Sequence, residues 1–316
     1  MIDNLKFSLG TWAMGGGDSW GECDDRDSIK TVHKALDYGV KWIDTAPAYG
    51  NGRSEELLGD ALLGKRNSVF LATKCGLVWD EEGSMEHIRR DGLVVYRNLR
   101  PDSIRRQLET SLKRLKTDYI DLYITHHQNP NDNLEDTISC LEDLKKEGKI
   151  LSYGLSNGSV EIINSYLKYG NPECVQEKWS ALDRKKDDVL ALTAEKGIIF
   201  QAYSPLERGL LAGKVSSKAE VVGTAKKRDL WYRPENVDVI NARIASLFDM
   251  ASSYGVGLSA LVLAWQMSYT DNMCVCVGAR KEFQIEENAK AIGLKISESD
   301  LKTIGDTLLS IEPVSK

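Results

Sequence analysis

Apolar positions along the chain fall into two alternating patterns. Short runs rich in Val, Ile, Leu and aromatic residues, bounded by loop residues, predict strands over 7–11, 40–44, 69–74, 120–126, 151–157, 175–179, 198–204 and 273–277. Between them the apolar spacing widens to three or four residues, the period of a helix. Ile29, Val32 and Leu36 share one such face, Ile104, Leu108, Leu112 and Leu115 another, and Thr137, Leu141 and Leu144 a third. Pro101 sits where a helix can start, with Asp102 and Ser103 in its first turn.

Eight strands alternating with helices predict a parallel sheet covered by helices. At this length the economical closure is an α/β single domain over residues 1–316, a (β/α)8 TIM barrel. An open doubly wound sheet is the rival. Two inserts exceed what a plain barrel needs: 77–98 after the third strand and 209–236 after the seventh. Long loops at strand exits are usually functional. Residues 312–316 read as a short frayed tail.

Composition narrows the function classes. The 316 residues are 42% hydrophobic, enough for a large core. Lys and Arg number 41 against 47 Asp and Glu, a net charge of −6 that argues against a general nucleic-acid or membrane-surface binder. No apolar run approaches the roughly 20 residues of a spanning helix. The opening Met1-Ile2-Asp3-Asn4 lacks a signal-peptide pattern. Six scattered cysteines, Cys23, Cys75, Cys140, Cys174, Cys274 and Cys276, fit free thiols in a reducing compartment, so the cytoplasm is expected.

Polar residues mark the strand exits: Asp44, Lys74, His126, Ser156-Asn157 and Tyr203-Ser204, with Gly278 and Arg280 after the eighth strand and Gln176 inside the sixth. In a barrel these exits share one rim, where barrel enzymes place chemistry. A rim lysine kept charged by Asp44 would favour tyrosinate and lower the pKa of a nearby Tyr49. The phenol would then exchange a proton near neutral pH. His126 would orient a carbonyl oxygen beside it. That set suits carbonyl reduction, with a cofactor supplying hydride.

These residues carry a resemblance. W-I-D-T-A-P-A-Y-G (42–50), S-E-E-L-L-G (54–59), A-T-K (72–74), D-L-Y-I-T-H (121–126), G-L-S-N (154–157), A-Y-S-P-L (202–206) and G-A-R-K…E-E-N (278–288) resemble, in order, the aldo-keto reductase family. The pattern is closer to its bacterial and potassium-channel β-subunit-like branch than to aldose reductases. The resemblance implies an NAD(P)H-dependent barrel enzyme with the tetrad Asp44, Tyr49, Lys74 and His126, and Tyr49 as general acid. It implies that Ser156, Asn157 and Gln176 hold the nicotinamide amide and that Tyr203 stacks on its ring. Thr11, Trp12 and Asp44 would border the nicotinamide ribose. Ser204, Leu206 and Lys214 would line the pyrophosphate, and Gly278, Arg280, Gln284, Glu287 and Asn288 the adenosine end. Arg280 suits a 2′-phosphate, which favours NADPH while leaving NADH open. Glu287 is an alternative acceptor for the adenine amine. Three positions depart from the family pattern: His127, Gly158 and Trp179.

The substrate wall is expected from Trp12, Tyr49, Trp79, His126 and His127. Polar His127-Gln128-Asn129 and the loop tryptophans suggest a sugar- or cyclitol-type carbonyl; singly, Trp12, Trp20, Trp79 and Trp231 are core candidates. No metal is expected: His126 and His127, as neighbours on a strand, should face opposite ways, and His33 and His87 have no carboxylate frame. Residues 255–260 spell a dinucleotide-like glycine pattern but follow a helical segment, and 209–214 resembles a phosphate loop one residue short. Cys75 reads as a packed residue. Two other functions share the frame: a barrel lyase using Lys74 as a Schiff-base nucleophile, and a slow cofactor-sensing regulatory subunit. The expected partner is a small-molecule carbonyl substrate; oligomeric state is open.

Overall fold

The computed structural model describes residues 6–314; Met1 to Asn4, and Ser315 and Lys316 of the tail, lie outside that range. Eight parallel strands close in the order β1 (Phe7–Gly10), β11 (Met273–Gly278), β10 (Ile199–Tyr203), β9 (Cys174–Lys178), β8 (Ile150–Ser156), β7 (Ile120–Thr125), β3 (Phe70–Cys75) and β2 (Trp42–Asp44). This is the (β/α)8 barrel, and the open sheet is excluded by the β1–β11 and β1–β2 pairings that seal it. Each predicted strand overlaps its observed counterpart, and their ends agree to within two residues.

Alternation along each strand sorts the side chains. Trp42, Ala72, Leu122, Ile124, Cys174 and Cys274 form a buried cluster of their own, which is the barrel interior. Their neighbours in sequence, such as Ile43, Leu71, Tyr123 and Val275, join the larger core between strands and helices. The helices are the expected ones. Arg100 precedes a helix over Pro101–Leu115 with proline in its first turn, and it buries Ile104, Leu108, Leu112 and Leu115. Asp24 caps Asp25–Asp37 and Asn133 caps Leu134–Lys146 by accepting main-chain N–H bonds.

Both inserts are structured. The first is an antiparallel sheet of β4 (Leu77–Val78), β5 (Met85–Arg90) and β6 (Leu93–Arg97) in the order β4-β6-β5, standing over the barrel mouth. The second holds short helical turns over Glu207–Ala212, Thr224–Lys227 and Leu230–Tyr232. Both reach the segment after β1. Asp18 and Asp91 exchange two hydrogen bonds, each amide donating to the other's carboxylate at 2.9 and 2.8 Å. Thr224 Oγ1 donates to the Asp18 carbonyl at 3.2 Å. The tail is tied down as far as Val314, whose N–H donates to Asn236 Oδ1 at 2.7 Å.

Candidate active site

The barrel floor ends in a buried ion pair. Lys74, on β3, donates from Nζ to Asp44 Oδ1 at 2.6 Å and to the Thr45 carbonyl at 2.8 Å, and its side chain is 0% exposed. Register places both at the same mouth, since Asp44 pairs with Ala72 and Lys74 with Ile124. Burial alone would strip the Lys74 proton; Asp44 and the Tyr49 oxygen outweigh it and hold the pKa above its usual value. Removing either partner of such a pair costs about 3–5 kcal/mol, because the other charge is left uncompensated.

Tyr49 follows on the loop after β2. Its ring centroid lies 4.9 Å from Lys74 Nζ and 5.8 Å from the His126 ring, which stands edge-on at 85°. The loop is set by a close approach: a Cβ on Gly15 would meet the Tyr49 carbonyl carbon at 2.6 Å. The expected depression of the Tyr49 pKa does not occur. Burial pushes the phenol up to about 12, and the Lys74 charge offsets only part of that rise. At neutral pH the group is therefore a protonated phenol beside a lysine cation, not a tyrosinate. His126 is kept neutral, chiefly by burial and then by Lys74.

Gln176 completes the floor. Its Nε2 donates to Asp44 Oδ2 at 2.8 Å and to Gln201 Oε1 at 2.7 Å, and Gln201 Nε2 donates to Ser8 Oγ at 2.9 Å. With both amide hydrogens spent, Gln176 offers the cavity its oxygen. Asn157 adopts a left-handed φ of 57° and is used by the protein itself. Its Nδ2 donates to the His126 carbonyl at 2.8 Å, and its Oδ1 accepts from the Tyr203 hydroxyl at 2.8 Å. Asn157 thus fixes the Tyr203 ring. Ser156 Oγ donates to the Gln176 carbonyl at 2.8 Å.

A single cavity of about 1050 Å³ runs from this floor across the β8–β11 exits. Trp12, Asp44, Tyr49, His126 and His127 line its inner end, followed by Ser156, Asn157, Gln176 and Tyr203. Ser204, Leu206 and Lys214 continue along it, and Gly278, Arg280, Gln284, Glu287 and Asn288 close the far end. Lys74 lies beneath the floor, touching the cavity only through Asp44 and Tyr49. Its covered, protonated amine is a poor Schiff-base nucleophile.

Several expectations change. Thr11 does not line the cavity: it is fully buried, and its Oγ1 donates to the Asp44 carbonyl at 3.0 Å, which fixes the end of β2. Trp79 is also off the cavity, because the insert folds into a sheet and Trp79 packs with Ile88 against Ala48, Leu77 and Val95. Trp231 is core, and Trp179 packs against Trp265 and Tyr269. Trp12 and Trp20 do face the cavity, edge to face at 5.3 Å. Glu287 already accepts the Gly257 N–H at 2.6 Å and pairs with Lys290 at 2.8 Å. Arg280 donates to the carbonyls of Trp20, at 3.1 Å, and Glu22, at 2.5 Å. His126 and His127 do not face opposite ways: β7 ends at Thr125, and beyond it both rings line the cavity, stacked 5.3 Å apart. Among the described residues no group of three His, Cys, Asp or Glu side chains is placed to hold a metal ion.

Other lining residues are not among those the sequence assigns to the cavity. His87 and Arg90 come from the hairpin sheet, and Arg208, Lys226 and Arg228 from the second insert. Nothing in the local pattern of those loops announces that they fold back over the barrel. Gln201 does carry a signal, because it sits two residues before Tyr203 on the inward side of β10.

Comparison with known proteins agrees with this architecture. Residues 6–308 match the model of the aldo/keto reductase family. A protein of Escherichia coli (strain K12) described as an NADH-specific methylglyoxal reductase is 36% identical over 313 residues, covering 97% of this chain and 95% of its own length. An aldo-keto reductase of Bacillus subtilis (strain 168) is 33% identical over 312 residues, covering 97% of this chain and 91% of its own. The solved structure of a glycerol dehydrogenase from Gluconobacter oxydans superposes with a TM-score of 0.87 at 29% identity, covering 100% of this chain and 98% of that one.

Proposed function

The chain belongs to the aldo/keto reductase family, and from that premise we propose that it reduces an aldehyde or ketone to the alcohol with a proton from Tyr49. The observation that carries this reading is the buried Lys74–Asp44 pair beneath a protonated Tyr49, with neutral His126 across from it. A substrate oxygen between the phenol and the imidazole would receive two neutral donors. The proton leaves Tyr49 as charge builds on that oxygen, and Lys74 stabilises the phenolate left behind. Asp44 keeps the lysine charged, and Gln176 and Thr11 keep Asp44 in place.

The cavity fits a nicotinamide dinucleotide, which would supply hydride to the carbonyl carbon. The free oxygen of Gln176 suits a carboxamide N–H, the Tyr203 ring suits a flat heterocycle, and Ser204, Leu206 and Lys214 follow where a diphosphate would run. We favour NADPH, since Arg280 and Lys226 gather at the far half of the cavity. NADH is the second reading, favoured by the description of the Escherichia coli relative. Trp12, its ring 6.4 Å from that of Tyr49, with Trp20 edge-on behind it, suits a small polar carbonyl, of which sugar- and cyclitol-type compounds are examples. Six unpaired thiols support a cytoplasmic setting, and among the described residues no single helix is long and apolar enough to cross a membrane.

Tyr49→Phe tests the assignment by deleting the hydroxyl alone. Turnover of an aldehyde panel, followed by loss of reduced-nicotinamide absorbance, should fall by roughly 10²–10⁴-fold. Coenzyme affinity by fluorescence titration should stay within about threefold. Undiminished turnover would remove Tyr49 as the acid.

A further inference from the structure

The hairpin sheet brings a cation to the substrate end of the cavity that the reduction itself does not use. Arg90 ends β5 and lines the cavity together with Tyr49, His126, His127 and His87. Its Nη2 donates to the carbonyl of Ala48, the residue before Tyr49, so the guanidinium sits against the loop that carries the proton donor. Among the described residues the buried Nε has no partner and Nη1 no acceptor. Adjacent Arg89 shows the contrast, with two bonds to Glu86 at 2.9 Å each. Among the described residues Arg90 makes no ion pair within 4 Å. The neighbouring Asp91 gives its Oδ1 to the Asp18 amide.

A half-buried guanidinium holding a single carbonyl is under-satisfied, because such a group loses water without gaining an anion. The surroundings supply more donors, and the one carboxylate that acts on the Arg90 charge, that of Asp91, lies beyond ion-pair distance and offsets burial only in part. Arg97 Nε donates to His87 Nδ1 at 3.2 Å, which leaves the His87 proton on Nε2. The His87 and His127 rings are 4.3 Å apart. The carboxylate on the cavity floor, Asp44, is already held by Lys74 and Gln176.

We propose that Arg90 is a specificity-determining residue that binds a carboxylate on the substrate, so that this enzyme prefers carbonyl compounds carrying an acid group to their neutral counterparts. The proposal rests on the reductase reading and narrows its substrate class. A guanidinium edge matches a carboxylate in geometry as well as charge. Held there, the acid group would anchor the far end of a short substrate while its carbonyl oxygen reaches Tyr49 and His126.

The test compares 4-oxobutanoate with its methyl ester, two aldehydes of nearly equal size that differ in charge. Wild-type kcat/KM should favour the acid by roughly tenfold to a hundredfold, the scale of a charge-assisted hydrogen bond. In Arg90→Gln the preference should vanish, mostly through KM, while the ester's kcat/KM stays within about threefold; Arg90→Lys should restore part of it. Succinate should inhibit the wild type competitively against the ester and Arg90→Gln much less. Equal wild-type rates for acid and ester, or an equal loss on both in Arg90→Gln, would overturn the proposal and leave Arg90 a brace for the Tyr49 loop. If neither aldehyde oxidised NADH or NADPH while an aldehyde panel did, the proposal would fail alone; silence across the whole panel would overturn the reductase reading as well.

Discussion

His126, His127 and His87 stand in a row along the cavity wall, with successive ring centroids 5.3 and 4.3 Å apart. None is a convenient place for a proton. His127 is lowered to about 3, first by burial and then by His87 and Arg97. His87 is lowered to about 4, first by burial and then by Arg97 and Arg90. Unfolded, each ring binds a proton near 6.5. Between about pH 6.5 and pH 4 the unfolded chain therefore holds more protons than the folded one, and stability falls as pH falls. His127→Asn removes one titrating site. Its melting temperature should drop less steeply than wild type between pH 7 and pH 5. Buried Glu177, raised to about 7 by burial, works in the opposite sense but is common to both proteins and cancels in the comparison. Parallel slopes would show that His127 titrates normally in the fold.

At the scale of elements, the barrel strands were legible because period-two alternation and a shared inward parity are written in the sequence. Trp42 and Asp44, Ala72 and Lys74, Cys174 and Gln176 fall two apart on one side of their strands, so the polar residues at strand ends had to meet over one floor. Thr11, next after Gly10, breaks that parity and stays out of the cavity. The inserts were not legible in the same way. Residues 77–98 hold three strands whose pairing depends on turns and on contacts far away in the chain, and their packing half-buries Trp79 against Ala48, Leu77 and Val95. Arg97 ties one edge of that sheet to the Gln128 carbonyl at 2.8 Å, and the reciprocal Asp18–Asp91 exchange fastens its tip across the mouth. Asp91 has a left-handed φ of 49°, so Asp91→Gly deletes the carboxylate without straining the turn. Amide hydrogen exchange should then accelerate in 85–97 and in the segment around Asp18, with barrel-strand protection unchanged. Unaltered exchange in the hairpin would mean that its own ladder and the Ala48–Leu77–Val95 packing suffice.

Across the whole molecule the charge is divided against its total. The net charge is −6, yet the far half of the cavity collects Arg208, Lys214, Lys226, Arg228 and Arg280. Lys226 lies 5.7 Å from the Trp20 ring and 5.5 Å from the Tyr232 ring, and burial followed by Arg280 and Arg208 lowers its pKa. Arg208 is already paired with Asp229, but Lys226 and Arg280, like charges in a partly desolvated groove, gain when an anion enters, and an acidic exterior confines that attraction to the groove. The extra phosphate of NADPH is the anion best placed to exploit it. NADPH should therefore bind more tightly than NADH, and its Kd should rise more steeply with salt. Lys226→Gln should narrow the difference without altering NADH binding. Thermal melts give a second measure. At a hundredfold excess over Kd a ligand stabilises by about 2.7 kcal/mol. With an unfolding entropy near 2.1 cal/mol/K per residue over 316 residues, that is a rise of roughly 4 °C. Each coenzyme at equal concentration should raise the melting temperature in the order of its affinity. If NADH shifts it as far as NADPH at low salt, the cation cluster does not read the 2′-phosphate, and the coenzyme is held by the diphosphate and the nicotinamide seat alone.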